Sequence, residues 1–222
     1  MRTLVAACAA CISTVCVHPI DTMYVSKQLQ SERRLRHPMA GSTQAAVSAF
    51  VLHGTYIAAY EFGLERAQHA ALRVPIAACL GSVVVSIIGT PLSIAKKRRQ
   101  VIQNKMHVPK PLGAMQTARL MCITFIGKYP KTCLKYGIYE HILRVGIGEG
   151  ALLGMLAGFV ASTVAATIFE PVELIRTYNT LGLSTRTDRP FNGLGYGILS
   201  SVLANTLAGG ILEAFAPRSI TF

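Results

Sequence analysis

Six long apolar stretches alternate with shorter polar segments along this chain. They cover roughly residues 3 to 25, 42 to 64, 72 to 95, 117 to 143, 150 to 175 and 193 to 216. A helix needs about 20 mostly apolar residues to cross a bilayer, so each stretch is long enough for one crossing. The pattern predicts an all-α membrane protein with six transmembrane helices. Since little of the chain remains for a soluble part, we expect a single domain over residues 1–222.

The composition agrees with this class and limits the partners. Of all residues, 51% are hydrophobic and only 14% are charged, which is too apolar for an ordinary soluble domain. The net charge of +12 raises the alternative of a nucleic-acid binder, but such a protein gathers its basic residues on one soluble face. Here most of the basic residues lie in or near the loops that follow alternate apolar stretches. We therefore predict the lipid bilayer as a partner, and no nucleic acid.

The distribution of basic residues predicts an orientation. Fourteen of the 22 lysines and arginines follow stretches 1, 3 and 5, and five lie on the opposite side. The positive-inside bias then puts both termini on the outer side and the three odd-to-even loops on the inner side. Solvated loops that also touch anionic headgroups are compatible with this. The first set is Lys27, Arg33, Arg34, Arg36, Lys96, Lys97, Arg98, Arg99, Lys105, Lys110, Arg119, Arg176, Arg186 and Arg189, and the second is Arg2, Arg66, Arg73, Arg144 and Arg218.

The first seventeen residues have the basic and apolar regions of a signal peptide. We favour a membrane span, because the apolar run continues into a segment that is repeated twice later. Cys8 and Cys11 form a C-x-x-C, but all six cysteines lie inside predicted spans, where small packing residues are common. The sequence contains no nucleophile with a base, no metal-ligand cluster and no phosphate-binding glycine loop. We therefore predict neither an enzyme nor a metal or cofactor.

Three segments of the sequence superimpose as an internal repeat. They are HPIDTMYVSKQ from His18, TPLSIAKKRRQ from Thr90 and EPVELIRTYNT from Glu170. Small residues precede each proline at the same two positions, where neighbouring helices can approach closely. The second helix of each repeat carries a matching glutamate. We predict repeats of approximately 1–70, 71–148 and 149–222. Their prolines are Pro19, Pro91 and Pro171. Their glutamates, each with the residue before it, are Tyr60-Glu61, Tyr139-Glu140 and Leu212-Glu213.

These motifs resemble the signatures of the mitochondrial carrier family over the whole chain. One signature is a proline, any residue, an acid, two residues and a base at the end of each odd helix. The other is an aromatic residue, an acid, two residues and a base on each even helix. The resemblance implies a six-helix barrel with pseudo-threefold symmetry, a central cavity and odd helices kinked at the prolines. It also implies the mitochondrial inner membrane, cardiolipin among the lipid partners, and both termini in the intermembrane space.

In the family, the acid of one proline motif pairs with the base of the next and closes the matrix side. The resemblance implies Asp21 with Lys96, the one pair that retains both charges here. We expect part of this matrix gate to remain. The other positions that it implies are Ser93 with Arg176, Glu173 with Tyr24, and the bracing glutamines Gln28 and Gln100, with Thr180 in the third repeat.

The outer gate departs further from the family. Its glutamates are present as Glu61, Glu140 and Glu213, but the bases three residues later are replaced. Nearby arginines lie one or two positions on, and each position turns a side chain by about 100° around the helix. We expect no strong closed state on this side; alternatively, the glutamates simply face water at the barrel mouth. The replacing residues are Leu64, Leu143 and Ala216, and the shifted arginines are Arg66, Arg144 and Arg218.

The connections between odd and even helices are short. Family members carry an amphipathic matrix helix there, which helps to hold lipid. The first connection here is SERRLRHPMAG and the third is about NTLGLSTRTDRPFNG, both rich in turn formers. We expect these matrix helices to be missing, most clearly from repeats 1 and 3.

Three lysines in the fourth stretch are the candidate binding residues. Lys128, Lys131 and Lys135 lie at membrane depth, where ionisable residues are costly and face an interior or water. Their spacing of three and four puts them within one arc of the helix. Alternatively, they form a basic stripe facing a wet cavity, or pair with Glu170 or a partner subunit. The resemblance implies substrate contacts at Ser48, Gly127, Lys128, Ser200 and Ser201, a set that would suit a small anion.

Two functions remain open from the sequence. The lost bases and missing matrix helices favour an accessory or structural subunit of a larger inner-membrane assembly, such as a respiratory complex or ATP synthase. The alternative is a working exchanger of a small anionic metabolite by alternating access, with Lys128 at the substrate site. His18, His53 and His141 are scattered along the chain and are interpreted as packing or cavity-lining residues.

Overall fold

The computed structural model describes residues 1–28, 37–66, 70–104, 113–145, 150–180 and 194–216, and every regular element in these ranges is a helix. Each helix coincides with one of the six apolar stretches, so the all-helical class is confirmed. Their ends lie within a few residues of those predicted, except that α3 extends further at its C-terminus. The helices are α1 (Arg2–Gln28), α2 (Ser42–Arg66), α3 (Ala70–Gln103), α4 (Ala114–Val145), α5 (Gly150–Thr180) and α6 (Leu194–Phe215).

The described helices close into a ring. Each one packs against its neighbours in the chain, and α6 returns to pack against α1. In addition, α3 contacts α1 and α5. The side-chain bonds between these three odd helices lie near their C-terminal ends. The ring therefore surrounds a central space that the odd helices narrow at one end.

Small residues let the helices approach closely. A Cβ atom at Gly154 would collide with the carbonyl oxygen of Gly209, and one at Gly158 would collide with that of Asn205. Both glycines bring α5 against α6. The small residues that precede the repeat prolines are also buried, among them Ala10, Ala78 and Ser162. The close approach inferred from the repeat is therefore seen between helix backbones.

The outer surface of the protein is largely apolar, and several polar side chains are buried inside. Large hydrophobic side chains cover the outer surface, including Leu152 at 77% exposure and Ile126 at 68%. In contrast, His18, Thr22 and Gln100 are completely buried. This is the arrangement expected when lipid is the surrounding solvent and ionisable groups face an interior.

By length and composition, four of the described helices can cross a membrane, and the chain is a multi-pass membrane protein. They are Arg2–Lys27, Leu72–Gln103, Gly150–Glu173 and Leu194–Phe215. The two remaining helices, α2 and α4, are less apolar. In α4 the three lysines lower the hydropathy of the middle of the helix. Six crossings therefore stay a prediction.

The repeat prolines lie inside the odd helices. Pro19, Pro91 and Pro171 are within α1, α3 and α5, and each helix continues beyond its proline. Two predictions fall on other parts of the chain. The matrix connections include residues 29–36, 105–112 and 181–193, which lie outside the described residues, as does the side chain of Gln28.

Candidate functional site

A cavity of about 410 Å³ lies at the centre of the ring. All six described helices contribute side chains to its wall. We call the end near Asp21 and Lys96 the inner end, and the end near Glu61 and Glu213 the outer end. The candidate site is this cavity together with the contacts that close its two ends.

The inner end is closed by an ion pair between α1 and α3. Lys96 Nζ lies 2.7 Å from Asp21 Oδ2, and Gln100 Nε2 donates a hydrogen bond to the same oxygen at 2.9 Å. The acid follows its proline by two residues and the base follows by five, so the two motif positions lie three residues apart on one face of a helix. The structure thus brings together three residues that the sequence had associated.

A second inner contact joins α3 to α5. Lys97 Nζ donates to the hydroxyl of Thr177 at 2.5 Å, and both side chains are buried. The sequence analysis did not single out either residue. Lys97 follows the predicted gate base directly, so it read as part of a solvated basic run. Its burial depends on the approach of α5, which the local sequence does not show.

A turn before α2 is fastened across the inner end. The Nε2–H of His18 donates to the carbonyl of Ala40 at 2.8 Å, which fixes the tautomer of this ring. Asn104 accepts from the backbone N–H of His37 at 2.9 Å and donates to its carbonyl at 3.1 Å. The turn itself requires Gly41, whose φ is +77°. No sequence pattern indicates these contacts, because the residues are far apart along the chain.

The other acid-base positions of the inner end are arranged differently from what the resemblance implies. The ion pair that the structure shows for Glu173 is with Arg176 of its own helix, at 2.9 Å. Ser93, the expected partner of Arg176, lines the cavity. Tyr24 is buried on α1. Three acid-base pairs are implied by the resemblance at the inner end. Among the described residues, Asp21–Lys96 is therefore the one of these pairs that forms an ion pair between two helices.

The lysines of α4 face the cavity, as their spacing indicated. Lys131 Nζ lies 3.6 Å from Glu170 Oε2, a pairing considered from the sequence. Lys135 donates to Asn205 Oδ1 at 3.1 Å and lies 4.7 Å from the centre of the Tyr136 ring. Lys128 lines the same wall.

The other implied contact residues are split. Ser48, Ser200 and Ser201 line the cavity together with Lys128. Gly127 does not point the same way: a Cβ atom there would stand 3.0 Å from Val172 Cγ1 on α5. One position along a helix turns the side chain by about 100°, so Gly127 faces its neighbour while Lys128 faces the cavity. Gly127 is thus not among the described residues that line the cavity, and its role as a substrate contact stays a prediction.

Tyrosines fill the space towards the outer end. The ring centres of Tyr56 and Tyr136 are 5.2 Å apart, and those of Tyr60 and Tyr136 are 4.8 Å apart. These rings come from α2 and α4, which are separated by α3 in the chain. Stacked aromatic rings at such distances attract one another beyond their burial. The ring contacts therefore join α2 to α4 towards the outer end.

The outer glutamates have partners, contrary to expectation. Arg2 Nη2 lies 2.8 Å from Glu213 Oε1, and Arg2 Nε lies 3.5 Å from Glu61 Oε1. Glu140 accepts from the hydroxyl of Tyr60 at 3.5 Å. The expectation of three acids without a base is wrong because Arg2, which the sequence analysis assigned only to the charge bias, turns inward from α1. Arg2 of α1 thus joins α2 and α6 at the outer end.

Comparison with known proteins supplies no relative for the argument. No family model and no curated protein matches this chain. The chemistry of the cavity must therefore carry the functional inference.

The charges in the cavity do not balance. Among the described residues that line it, six are basic and three are acidic. Each acid forms an ion pair: Asp21 with Lys96, Glu170 with Lys131, and Glu173 with Arg176. Three lysines are left without a carboxylate in the described part of the chain, namely Lys97, Lys128 and Lys135. Lys97 and Lys135 have neutral hydrogen-bond acceptors.

Metal binding finds no support in the described residues. They contain no group of three histidine, cysteine or acidic side chains placed to hold an ion. The cysteines, all six of which lie in described helices, are free thiols. The charged side chains that face the cavity are six bases and three acids in the described residues, and this excess of positive charge suits an anion.

Proposed function

We propose that this protein is a carrier-fold transporter that moves a small anion through its central cavity by alternating access. All six helices cross the mitochondrial inner membrane in this proposal, and both termini are in the intermembrane space. The repeat motifs, the closed ring of helices and the cavity with side-chain contacts between helices near both ends support it. The observation that carries it is the excess of three lysines over carboxylates in the cavity.

The charge excess defines the class of solute. Burying a cation without an anion nearby is unfavourable, and ionisable groups at membrane depth mark substrate pathways. Lys97, Lys128 and Lys135 lie on two neighbouring walls, α3 and α4, of one cavity. An anion with two or three negative charges would compensate them. A cationic or neutral solute would leave the excess unbalanced.

Neutral groups around the lysines would orient this solute. The hydroxyls of Ser48, Ser200 and Ser201 line the same space, and hydroxyls donate readily to carboxylate or phosphate oxygens. Transport also requires that the inner and outer closures open in turn, so the two states must have similar free energies. A single ion pair between helices at the inner end keeps the cost of opening small. The solute would enter from one side and leave by the other.

Ligand-dependent thermal stability of the purified protein tests the binding step. Inorganic phosphate, malonate and citrate should raise the unfolding midpoint more than acetate does. A ligand at a hundredfold excess over its Kd adds about 2.7 kcal/mol to stability. Lys128→Ala should remove most of this shift. Arg119→Ala, which removes an exposed basic side chain from the same helix, should keep it.

The result that would contradict the proposal is equally clear. If no anion shifts the midpoint of the parent protein, or if Lys128→Ala shifts as the parent does, the cavity lysines do not form an anion site.

An accessory subunit of a larger inner-membrane assembly is the second candidate. It is favoured by one observation, the pairing of Glu173 with Arg176 within α5, which leaves a single ion pair between helices at the inner ring positions. Other inner-membrane subunits would then be the partners. Blue-native gels of mitochondria distinguish the two functions. Migration at the size of a large complex, with fixed stoichiometry, supports the subunit, and migration as a small free protein supports the transporter.

A further inference from the structure

The outer end of the cavity is linked by a set of glutamates that follows the repeat. The hydroxyl of Tyr60 on α2 donates to Glu140 on α4, and that of Tyr139 on α4 donates to Glu213 on α6. Each tyrosine directly precedes the glutamate of its own repeat and binds the glutamate of the next. The third repeat has Leu212 at this position, which has no hydroxyl to donate. The link from α6 back to α2 therefore needs another donor.

We propose that Arg2 is this donor, and that it locks the outer end of the cavity in place of the missing third tyrosine. Its guanidinium lies between Glu213 of α6 and Glu61 of α2. The proposal deepens the proposed function, on which it rests, because it names the group that must release before the cavity opens on this side. Its test measures access to the cavity and needs no solute.

The geometry of Arg2 suits a bridge better than a surface ion pair. Three nitrogens of one guanidinium are used: Nη2 for Glu213 at 2.8 Å, Nε for Glu61 at 3.5 Å and Nη1 for the carbonyl of Ala216 at 2.6 Å. A planar, forked cation can hold several acceptors at fixed angles, which a lysine ammonium cannot. The side chain of Arg2 is only 16% exposed and that of Glu213 only 7%. The contact with Glu213 is therefore shielded from solvent, while Glu61 is 31% exposed.

The position of Ala216 explains how Arg2 reaches the outer glutamates. Ala216 occupies the place where the resemblance implies a basic side chain. A small side chain there leaves the backbone carbonyl accessible, and carbonyls at the end of a helix attract positive charge. Arg2 binds that carbonyl from α1. The longer contact, to Glu61, is the one we expect to break first.

The alternative is that Arg2 only anchors the start of α1 to α6. Access of a water-soluble reagent to the cavity separates the two roles. A cysteine is introduced at Ala208, which lines the cavity on α6 below the ring, in a protein whose native cysteines are replaced by alanine. Labelling by a membrane-impermeant maleimide is then measured from each side of proteoliposomes.

If Arg2 is the lock, Arg2→Ala should speed labelling from the outer side about tenfold and leave labelling from the inner side unchanged. A factor of ten corresponds to about 1.4 kcal/mol. Arg2→Lys keeps the charge but cannot bridge, so it should give an intermediate rate, and it carries the test if the alanine variant does not fold. The matched control is Arg66→Ala, which removes an exposed arginine stacked on Phe62 at the same end.

A rescue variant makes the test specific to the tyrosine-glutamate links at the outer end. Leu212→Tyr, combined with Arg2→Ala, places a hydroxyl at the third position and should return outer-side labelling towards the parent rate. The proposal is overturned if folded Arg2→Ala and Arg2→Lys label from the outer side within twofold of the parent. Equal acceleration from both sides would also overturn it, because a loosened helix anchor admits the reagent without sidedness.

Discussion

Lys96 of α3 holds Asp21 of α1 at 2.7 Å, and Gln100 donates to the same carboxylate oxygen one helical turn further on. The two helices are separated in the chain by the whole of α2. Both side chains are partly exposed to the cavity, at 21% and 25%. The pair therefore connects the inner closure directly to the space in which we expect the solute to bind.

Breaking this pair should loosen the inner end. We expect Asp21→Asn to reduce transport and to lower the free energy of unfolding by about 1 kcal/mol, since a partly exposed ion pair contributes little more. The exchanged variant, Asp21→Lys with Lys96→Asp, restores an ion pair and should recover part of both. Chemical unfolding of the purified variants provides the measurement. Equal loss in the single and exchanged variants would show that the pair has no role in closure.

The affinity for the solute should depend on the lysines that have no carboxylate partner, and the dependence should increase with the charge of the solute. We expect Lys97→Ala or Lys135→Ala to weaken binding of a dianion about tenfold, which corresponds to the loss of one charged hydrogen bond. Binding of a monoanion should change much less, because fewer lysines are needed for it. Titration calorimetry with malonate and acetate measures both.

A nearby surface arginine supplies the control for these lysines. Arg99 lies two residues after Lys97 on α3 and is exposed. Arg99→Ala should leave both affinities unchanged. If the lysine variants weaken the binding of monoanion and dianion equally, the lysines do not distinguish solutes by their charge.

The approach of α5 to α6 should be intolerant of larger residues. Gly154→Ala places a methyl group against the backbone oxygen of Gly209, so the helices must separate. Overpacking of this kind costs about 1 to 3 kcal/mol. Gly137→Ala is the matched control on α4, because nothing lies within 4 Å of the added methyl. Thermal unfolding should show a lower midpoint for the first variant alone; similar midpoints would contradict the close packing.

The fastened turn at the inner end should contribute to stability through one side chain. Asn104 makes two hydrogen bonds to the backbone of His37 and is nearly buried. We expect Asn104→Ala to destabilise the protein by about 1 kcal/mol, because it removes the acceptor of the His37 N–H, while the His37 carbonyl still accepts from the N–H of Ala40. It should also speed hydrogen exchange at the amide of His37. Gln103→Ala, at the exposed neighbouring position, should do neither, and unchanged exchange in Asn104→Ala would show that the turn is held by other contacts.

The helices and the contacts within the repeat pattern could be predicted from the sequence, whereas the contacts outside that pattern could not. Apolar length located all six helices, and the repeat register associated Asp21, Lys96 and Gln100, which the structure brings together. Both inferences use periodic local patterns. Spacing along α4 likewise placed Lys128 on the cavity face.

The contacts that the sequence could not predict join residues outside the repeat pattern. Arg2 meets Glu213 at the opposite end of the chain, and Lys97 meets Thr177 across two helices. No local spacing indicates such neighbours, because they depend on how the ring closes. The motif position of Gly127 likewise did not indicate its neighbour, because the helix turns this residue towards α5. The matrix connections lie outside the described residues, so the prediction for them stands as made.

The most direct test of the central claim is solute uptake by the purified protein in liposomes. Vesicles loaded with unlabelled phosphate, malonate, citrate or a nucleotide are mixed with the labelled compound outside, and exchange is followed over time. We predict saturable uptake of at least one anion with two or more negative charges, abolished by Lys128→Ala and retained by Arg119→Ala. Absence of uptake of every such anion by folded protein would contradict transport and leave the subunit of a larger assembly as the better account.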